Sequence, residues 1–249
     1  MKIIPLSEGS FTIDKTKIFV PFDTEKEQLN SRPIGSLLVE IQPFVVITSK
    51  DIILIDTGLG YNLSNGYPQI YFNLEQVGIN PSQITKVLMS HLHKDHAGGI
   101  TTRNQVTGEQ FIAFPYATYY VQSREFEFAI GAGSASYIQS DNALLSEFSK
   151  VGWLENDKGY IDDYIQYELT GAHSKFHQVF WIKENNETIF FGGDDAPQMQ
   201  QMKSRFVAKY DFDGKKCMEL RKQWWEKGKE EQWNFLFYHD IASPVFQHR

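Results

Sequence analysis

The chain has 249 residues, 41% of them hydrophobic and 14% aromatic, with a formal net charge of −7. This length suits a single domain, residues 1–249, able to bury about 70–75% of its unfolded surface. The acidic balance, with a pI of about 5.5, excludes a general nucleic-acid binder, which needs a basic patch or stripe. No run approaches the ~20 apolar residues of a membrane span. Cys217 is the only cysteine, so a disulfide framework within the chain is excluded and a reducing, cytoplasmic compartment is expected. The segment Met1–Gly9 has no long apolar core of the signal-peptide kind.

In chain order, Ser10–Val20 and Gly35–Ile55 read as strands, with Lys50-Asp51 as a turn before the continuously apolar Ile52–Ile55. Asn73–Val77 is a short helix closed by Gly78, and Ser82–Thr85 leads into a strand at Lys86–Ser90. Ala117–Val121 is a strand and Gln122–Ile130 a helix. Asp141–Ser149 is a helix with Asp141 as its N-cap. Strands follow at Ile165–Leu169, Gln178–Lys183 and Thr188–Phe191, with the polar loop Glu184–Glu187 between the last two. Asp213–Lys229 is an amphipathic helix carrying Cys217 as a partly buried, inert thiol, and Trp233–Tyr238 is the last strand. Strands, then helices, then strands again predict a layered α/β architecture.

The densest chemistry is His91-Leu92-His93-Lys94-Asp95-His96, directly after Val87-Leu88-Met89-Ser90. Imidazole suits zinc, iron, nickel and copper, and the carboxylate fits a borderline or harder divalent ion. Residues two apart at a strand end point the same way, so His91 and His93 face one point while Asp95 and His96 face a second. Lys94 is expected to be exposed. Three further donors repeat the pattern of a hydrophobic strand tipped by His or Asp. They are His173, Asp194 in Phe191-Gly192-Gly193-Asp194-Asp195, and His239 in Phe237-Tyr238-His239-Asp240.

The series His91, His93, Asp95, His96, His173, Asp194 and His239, with Asp56-Thr57-Gly58 upstream, resembles the metallo-β-lactamase-fold hydrolases, from about Ile4 to Asp240. The resemblance implies an αββα four-layer sandwich of two mixed sheets flanked by helices. It implies two divalent metal ions, most readily zinc. The first would take His91, His93 and His173, the second Asp95, His96 and His239, and Asp194 would bridge them. Two ions about 3.5–4 Å apart can clamp attacking and leaving oxygens; a bridging hydroxide would be the nucleophile, and Asp95 would orient it and pass its proton to the leaving group. Asp56 is expected to accept an N–H from a ligating histidine, and Gly98-Gly99 to let backbone pass where a Cβ would crowd. His177 is expected to support rather than ligate, and Asp195 to be solvated or to cap a turn.

Around Phe114–Gln122, Glu125-Phe126-Glu127 and Gly9–Asp14 the chain is similar to the lactonase-like branch, which includes N-acyl-homoserine-lactone hydrolases. Ala196-Pro197-Gln198-Met199 stands where those lactonases often carry a tyrosine, and Ala172 and Lys175-Phe176 depart from the family's loop pattern around His173. Met199–Met202 and Phe206 either line an apolar substrate wall or pack under the last helix. The expected function is opening of a lactone or cleavage of a small ester, with a small-molecule substrate, no nucleic-acid or membrane partner, and room for a homodimer. The alternatives are a mononuclear iron dioxygenase acting on a persulfide, a glyoxalase-like thioester hydrolase, and a non-enzymatic metal-binding protein. The basic residues Lys215-Lys216, Arg221-Lys222 and Lys227–Lys229 read as a solvated helix face rather than a glutathione site.

Overall fold

Two six-stranded sheets pack back to back in the computed structural model, which describes residues 1–131 and 133–248. The first sheet runs in the order Lys2–Pro5, Phe44–Ile47, Ile52–Ile55, Lys86–Leu88, Thr118–Gln122 and Val151–Leu154. Its first two pairings are antiparallel and its last three parallel. The second runs Lys158–Ile161, Ile165–Leu169, Gln178–Glu184, Glu187–Phe191, Asn234–Leu236 and Val245–Gln247, antiparallel except where Glu187–Phe191 meets Asn234–Leu236. Both sheets are therefore mixed.

Strand periodicity builds the layers, because alternate side chains leave opposite faces of a sheet. Phe44, Val46, Ile53, Ile55 and Leu88 turn inward and meet Phe180, Ile182, Ile189, Phe191 and Leu236 of the second sheet. Their neighbours Val45, Leu54 and Val87 turn outward into a core with Ile70, Leu74, Ala129 and Leu145 of the helices Gln69–Gln76, Ser123–Gly131 and Gln139–Glu147. Trp181, Phe190 and Phe235 cover the far side of the second sheet under Trp224 of the helix Gly214–Glu230. The order is helix, sheet, sheet, helix, the expected αββα sandwich. No helix of the described residues is long and apolar enough to cross a membrane.

Several local expectations shift. Ser10–Val20 is split into Gly9–Ile13 and Phe19–Pro21, which form a separate three-stranded sheet with Leu37–Ile41. The first helix, Gln69–Gln76, starts four residues earlier than its apolar spacing suggests, directly after Pro68, and is capped by Val77 with Gly78 at φ +79°. Asp141 lies inside the helix Gln139–Glu147 rather than capping it, and its carboxylate accepts the Thr101 hydroxyl at 2.9 Å. Tertiary burial has taken the side chain that propensity assigns to the cap. Phe114 and Tyr119 are core residues, and Tyr116 is exposed.

Candidate metal centre

All seven donors sit at one end of the sheets, on loops or on short helical turns that follow the strands. His91 follows the strand Lys86–Leu88, and His93 is the N-cap of the four-residue helix Lys94–Ala97 that carries Asp95 and His96. Asp194 lies in the 3₁₀ turn Gly193–Asp195 after Glu187–Phe191, and His239 follows Asn234–Leu236. His173 lies between Ile165–Leu169 and Gln178–Glu184. The loop is closed by Thr170 and Gly171 N–H groups donating to the His177 carbonyl.

Four of the imidazoles are held from behind. His96 Nδ1–H donates to Asp56 Oδ2 at 2.7 Å, His173 Nδ1–H to Asp211 Oδ1 at 2.9 Å, and His239 Nδ1–H to the Glu40 carbonyl at 2.7 Å. His91 Nδ1–H donates to the Ser90 hydroxyl at 3.0 Å, whose own proton goes to Asp56 Oδ2 at 2.7 Å. These partners fix the tautomers, because a carboxylate, a carbonyl and a committed hydroxyl can only accept. The Nε2 lone pairs of all four rings then point to the centre. Asp56 sits at φ +54°, a conformation Asp adopts at low cost, and also accepts the Ser90 N–H at 2.8 Å.

At the centre the donors fall into two groups: His91, His93, His173 and Asp194, and Asp95, His96, Asp194 and His239, with the donor atoms of each within 4.8 Å of one another. His93 contributes Nδ1, 2.9 Å from His91 Nε2 and 3.2 Å from His173 Nε2. Asp194 belongs to both groups. Its Oδ2 is 3.2 Å from His173 Nε2 and 4.0 Å from His91 Nε2, while its Oδ1 is 3.1 Å from His96 Nε2 and 3.0 Å from His239 Nε2. Asp95 Oδ2 is 3.5 Å from His239 Nε2 and 3.8 Å from His96 Nε2.

The electrostatics fit a pair of cations. His96 Nε2 and Asp194 Oδ1 are buried without a hydrogen-bond partner, an arrangement that costs free energy unless something positive lies between them. Burial and the neighbouring rings hold the His91 pKa well below its ordinary value. Burial is the largest influence on His96, His173 and His239 and disfavours their charged forms, but Asp194 together with the other carboxylates around each ring (Asp95 and Asp56 at His96, Asp211 and Asp195 at His173, Asp95 at His239) raises all three. Burial opposes the charge of Asp194 as well; His239, His96 and His173 nevertheless hold its carboxyl well below the usual range. A buried carboxylate among imidazole lone pairs is the donor set that zinc and similar divalent ions take.

The supporting residues include several that sequence spacing does not reveal. His177 receives the Asp194 N–H on Nε2 at 3.1 Å and faces Asp195 Oδ2 through Nδ1, also at 3.1 Å. Asp195 is buried rather than solvated, accepts the His173 N–H at 2.7 Å and touches the Cys217 thiol at 3.5 Å. Arg221 is likewise buried, not part of a solvated face, and donates to the Asp195 carbonyl at 2.9 Å. Cys217 is fully buried, and burial together with Asp195 pushes its pKa up. Glu125 accepts the Leu92 N–H at 3.0 Å and the Tyr137 hydroxyl at 3.3 Å, tying the histidine loop to the neighbouring segment. A Cβ on Gly98 or Gly99 would lie 2.3 Å from the Leu59 carbonyl oxygen or 2.1 Å from that of Thr57. That crossing lets Thr57 N–H donate to the His96 carbonyl at 2.7 Å. Asp240 accepts the Met199 N–H at 2.9 Å.

The donors open into a cavity of about 830 Å³ whose walls include Phe19, Leu37, Val39, Phe128, Tyr137 and Tyr210. Lys94 is half-buried and lines it, where sequence reading expects exposure. Met199–Met202 divides its roles: Met202 is in the core under the last helix, while Gln200, Gln201 and Phe206 border a side cavity of about 260 Å³.

Residues 41–206 match the model of the metallo-beta-lactamase superfamily. N-acyl homoserine lactonase AttM of Azorhizobium caulinodans is 28% identical over 124 residues, 44% of this chain and 40% of that protein. The AttM of Agrobacterium fabrum is 28% identical over 125 residues, 45% of this chain and 41% of that protein. The chain thus aligns with about two fifths of the length of these curated relatives. Among solved structures, a probable metal-dependent hydrolase from Staphylococcus aureus superposes with a TM-score of 0.80 at 22% identity, covering 99% of this chain and 91% of that one. AidC, a dizinc quorum-quenching lactonase bound to a product, superposes with a TM-score of 0.71 at 17% identity, covering 98% and 88%. With the family model spanning two thirds of its length and the αββα layers in place, the chain belongs to the metallo-beta-lactamase superfamily.

Proposed function

We propose that the chain is a single-domain, dinuclear metal-dependent hydrolase that opens a lactone or cleaves a small ester. The observation that carries this reading is the Asp194 carboxylate, which turns one oxygen to each group of donors. His91, His93 and His173 would hold one ion, Asp95, His96 and His239 the other, and Asp194 both. Zinc is favoured by the His and carboxylate set. The kinship with AttM lactonases favours a cyclic or linear ester. The single cysteine favours a reducing, cytoplasmic setting.

When bound, two such ions polarise an ester carbonyl and bring the pKa of water towards ~7. The chain's residues do the rest. Asp56, Asp211, Ser90 and the Glu40 carbonyl keep the imidazoles in one tautomer and one orientation. Asp95 is half-buried and borders the cavity, so its carboxylate can take a proton from the attacking water and return it to the leaving alkoxide. Phe19, Leu37, Val39 and Phe128 give the substrate an apolar wall and keep bulk water away from it.

The test is metal analysis of the purified protein together with hydrolysis of a lactone and ester panel. Two zinc ions per chain, with turnover abolished in His93→Ala, would support the reading. One iron per chain, oxygen consumption on a persulfide and no hydrolysis would replace it with a dioxygenase.

A further inference from the structure

The chain is acidic overall, yet four lysines, Lys15, Lys17, Lys94 and Lys175, border the cavity. Among the described residues, the lysine ion pairs involve Lys26, Lys86, Lys215 and Lys227, and none of these four. The acids on the same wall are otherwise engaged. Asp14 accepts the Thr16 N–H at 2.9 Å within its own turn, and Asp95 and Asp194 face the imidazoles.

Lys17 is the residue whose backbone has no local reason to be lysine. It sits at φ +59° in the hairpin between Gly9–Ile13 and Phe19–Pro21, its N–H donating to the Asp14 carbonyl at 3.0 Å. That left-handed position favours Gly or Asn, and departures from local preference concentrate where function holds them. Its side chain is half-buried at the cavity and within electrostatic reach of His93 and Lys94. Lys94 is also half-buried, its Nζ 5.8 Å from the centre of the Phe19 ring. Two like charges that border one apolar-walled cavity, neither of them in an ion pair among the described residues, make that wall complementary to an anion.

Building on the ester- or lactone-hydrolase reading, we infer that Lys17 and Lys94 form an anion subsite, so that the preferred substrate carries a carboxylate joined to its ester through an apolar segment. The subsite recognises charge, and Phe19 beside Lys94 takes the apolar segment.

The test uses zinc-loaded protein and two probes. The first is a matched ester pair, the 4-nitrophenyl monoester of glutaric acid and neutral 4-nitrophenyl pentanoate. The anionic ester should show roughly tenfold higher kcat/KM at low salt, with the preference fading at about 1 M salt, where the Debye length is about 3 Å. In Lys17→Gln and Lys94→Gln the ratio should fall toward 1, whatever the absolute rates. Lys17→Gly should lower the ratio while raising the thermal midpoint, because glycine adopts φ +59° without strain; a purely structural lysine would not divide the two effects. The second probe is hexanesulfonate, a poor zinc ligand, titrated by calorimetry. Its affinity should fall about fivefold or more in Lys17→Gln. An ester ratio near 1 in the parent protein, or a preference and a sulfonate affinity unchanged in Lys17→Gln, would overturn the subsite. Absence of turnover on both esters would defeat the hydrolase reading alone, and the sulfonate titration would still decide the subsite.

Discussion

Asp56 and His96 are joined by a 2.7 Å hydrogen bond between two fully buried side chains, and Asp56 reaches it from a left-handed backbone at φ +54°. The same carboxylate takes the Ser90 hydroxyl that orients His91, so one residue sets a ring in each donor group. Asp56→Asn keeps the backbone preference and removes the charge. Zinc affinity should fall about 10- to 100-fold, read by competition with a chromophoric chelator. Unchanged affinity would mean that the pair is structural only.

Asp211 accepts from His173, in the first donor group, through a 2.9 Å bond, and no hydrogen bond joins it to a donor of the second group among the described residues. Asp211→Ala should therefore weaken one ion and spare the other. Metal analysis after dialysis against limiting chelator should give about one zinc per chain where the parent retains two. Equal loss of both would show that the groups do not bind independently.

Glu8 gives a pH prediction. Burial raises its pKa to about 8, against the Leu59 N–H that donates to its carboxylate at 2.7 Å. Below an ordinary pKa of 4.5 both folded and unfolded chains hold the proton. Between about 4.5 and 8 only the folded chain holds it, so stability contributed by this group falls as pH rises through that window. Glu8→Gln removes the titration. The thermal midpoint of the variant should gain on the parent steadily from pH 5 to 8 and level off above. A constant difference across that range would refute the buried, protonated state of Glu8.

Gly99→Ala tests the crossing beneath His96. Its Cβ would meet the Thr57 carbonyl oxygen at 2.1 Å, and backbone cannot swing away as a side chain can. The cost should be at least about 1–3 kcal/mol of unfolding free energy, measured by denaturant titration, with a parallel loss of metal. Gly108→Ala is the control for an added methyl in open space; nothing lies within 4 Å of its Cβ, though φ +72° adds its own strain.

The continuous apolar runs in Ile52–Ile55 and Val179–Ile182 made a layered α/β reading legible in the sequence. It failed at Lys2–Pro5, Val151–Leu154 and Val245–Gln247, short outer strands whose pairing is decided by the neighbour they meet. Lys94 and Arg221 depart from expectation for one reason: a charged residue reads as solvated in sequence, and only packing brings Lys94 to the cavity and Arg221 to the Asp195 carbonyl.

Sequence by itself picked out the seven residues that the fold gathers at one end of the sheets, because strand tips carrying His and Asp in a hexapeptide and three later motifs are local patterns. Only the tertiary structure decided which ring each acceptor holds. Asp56 lies 40 residues from His96, Asp211 38 from His173, and the Glu40 carbonyl 199 from His239. A backbone carbonyl has no signature in sequence at all, and a carboxylate becomes an orienting partner only when the fold removes the water that would otherwise hydrogen-bond to it.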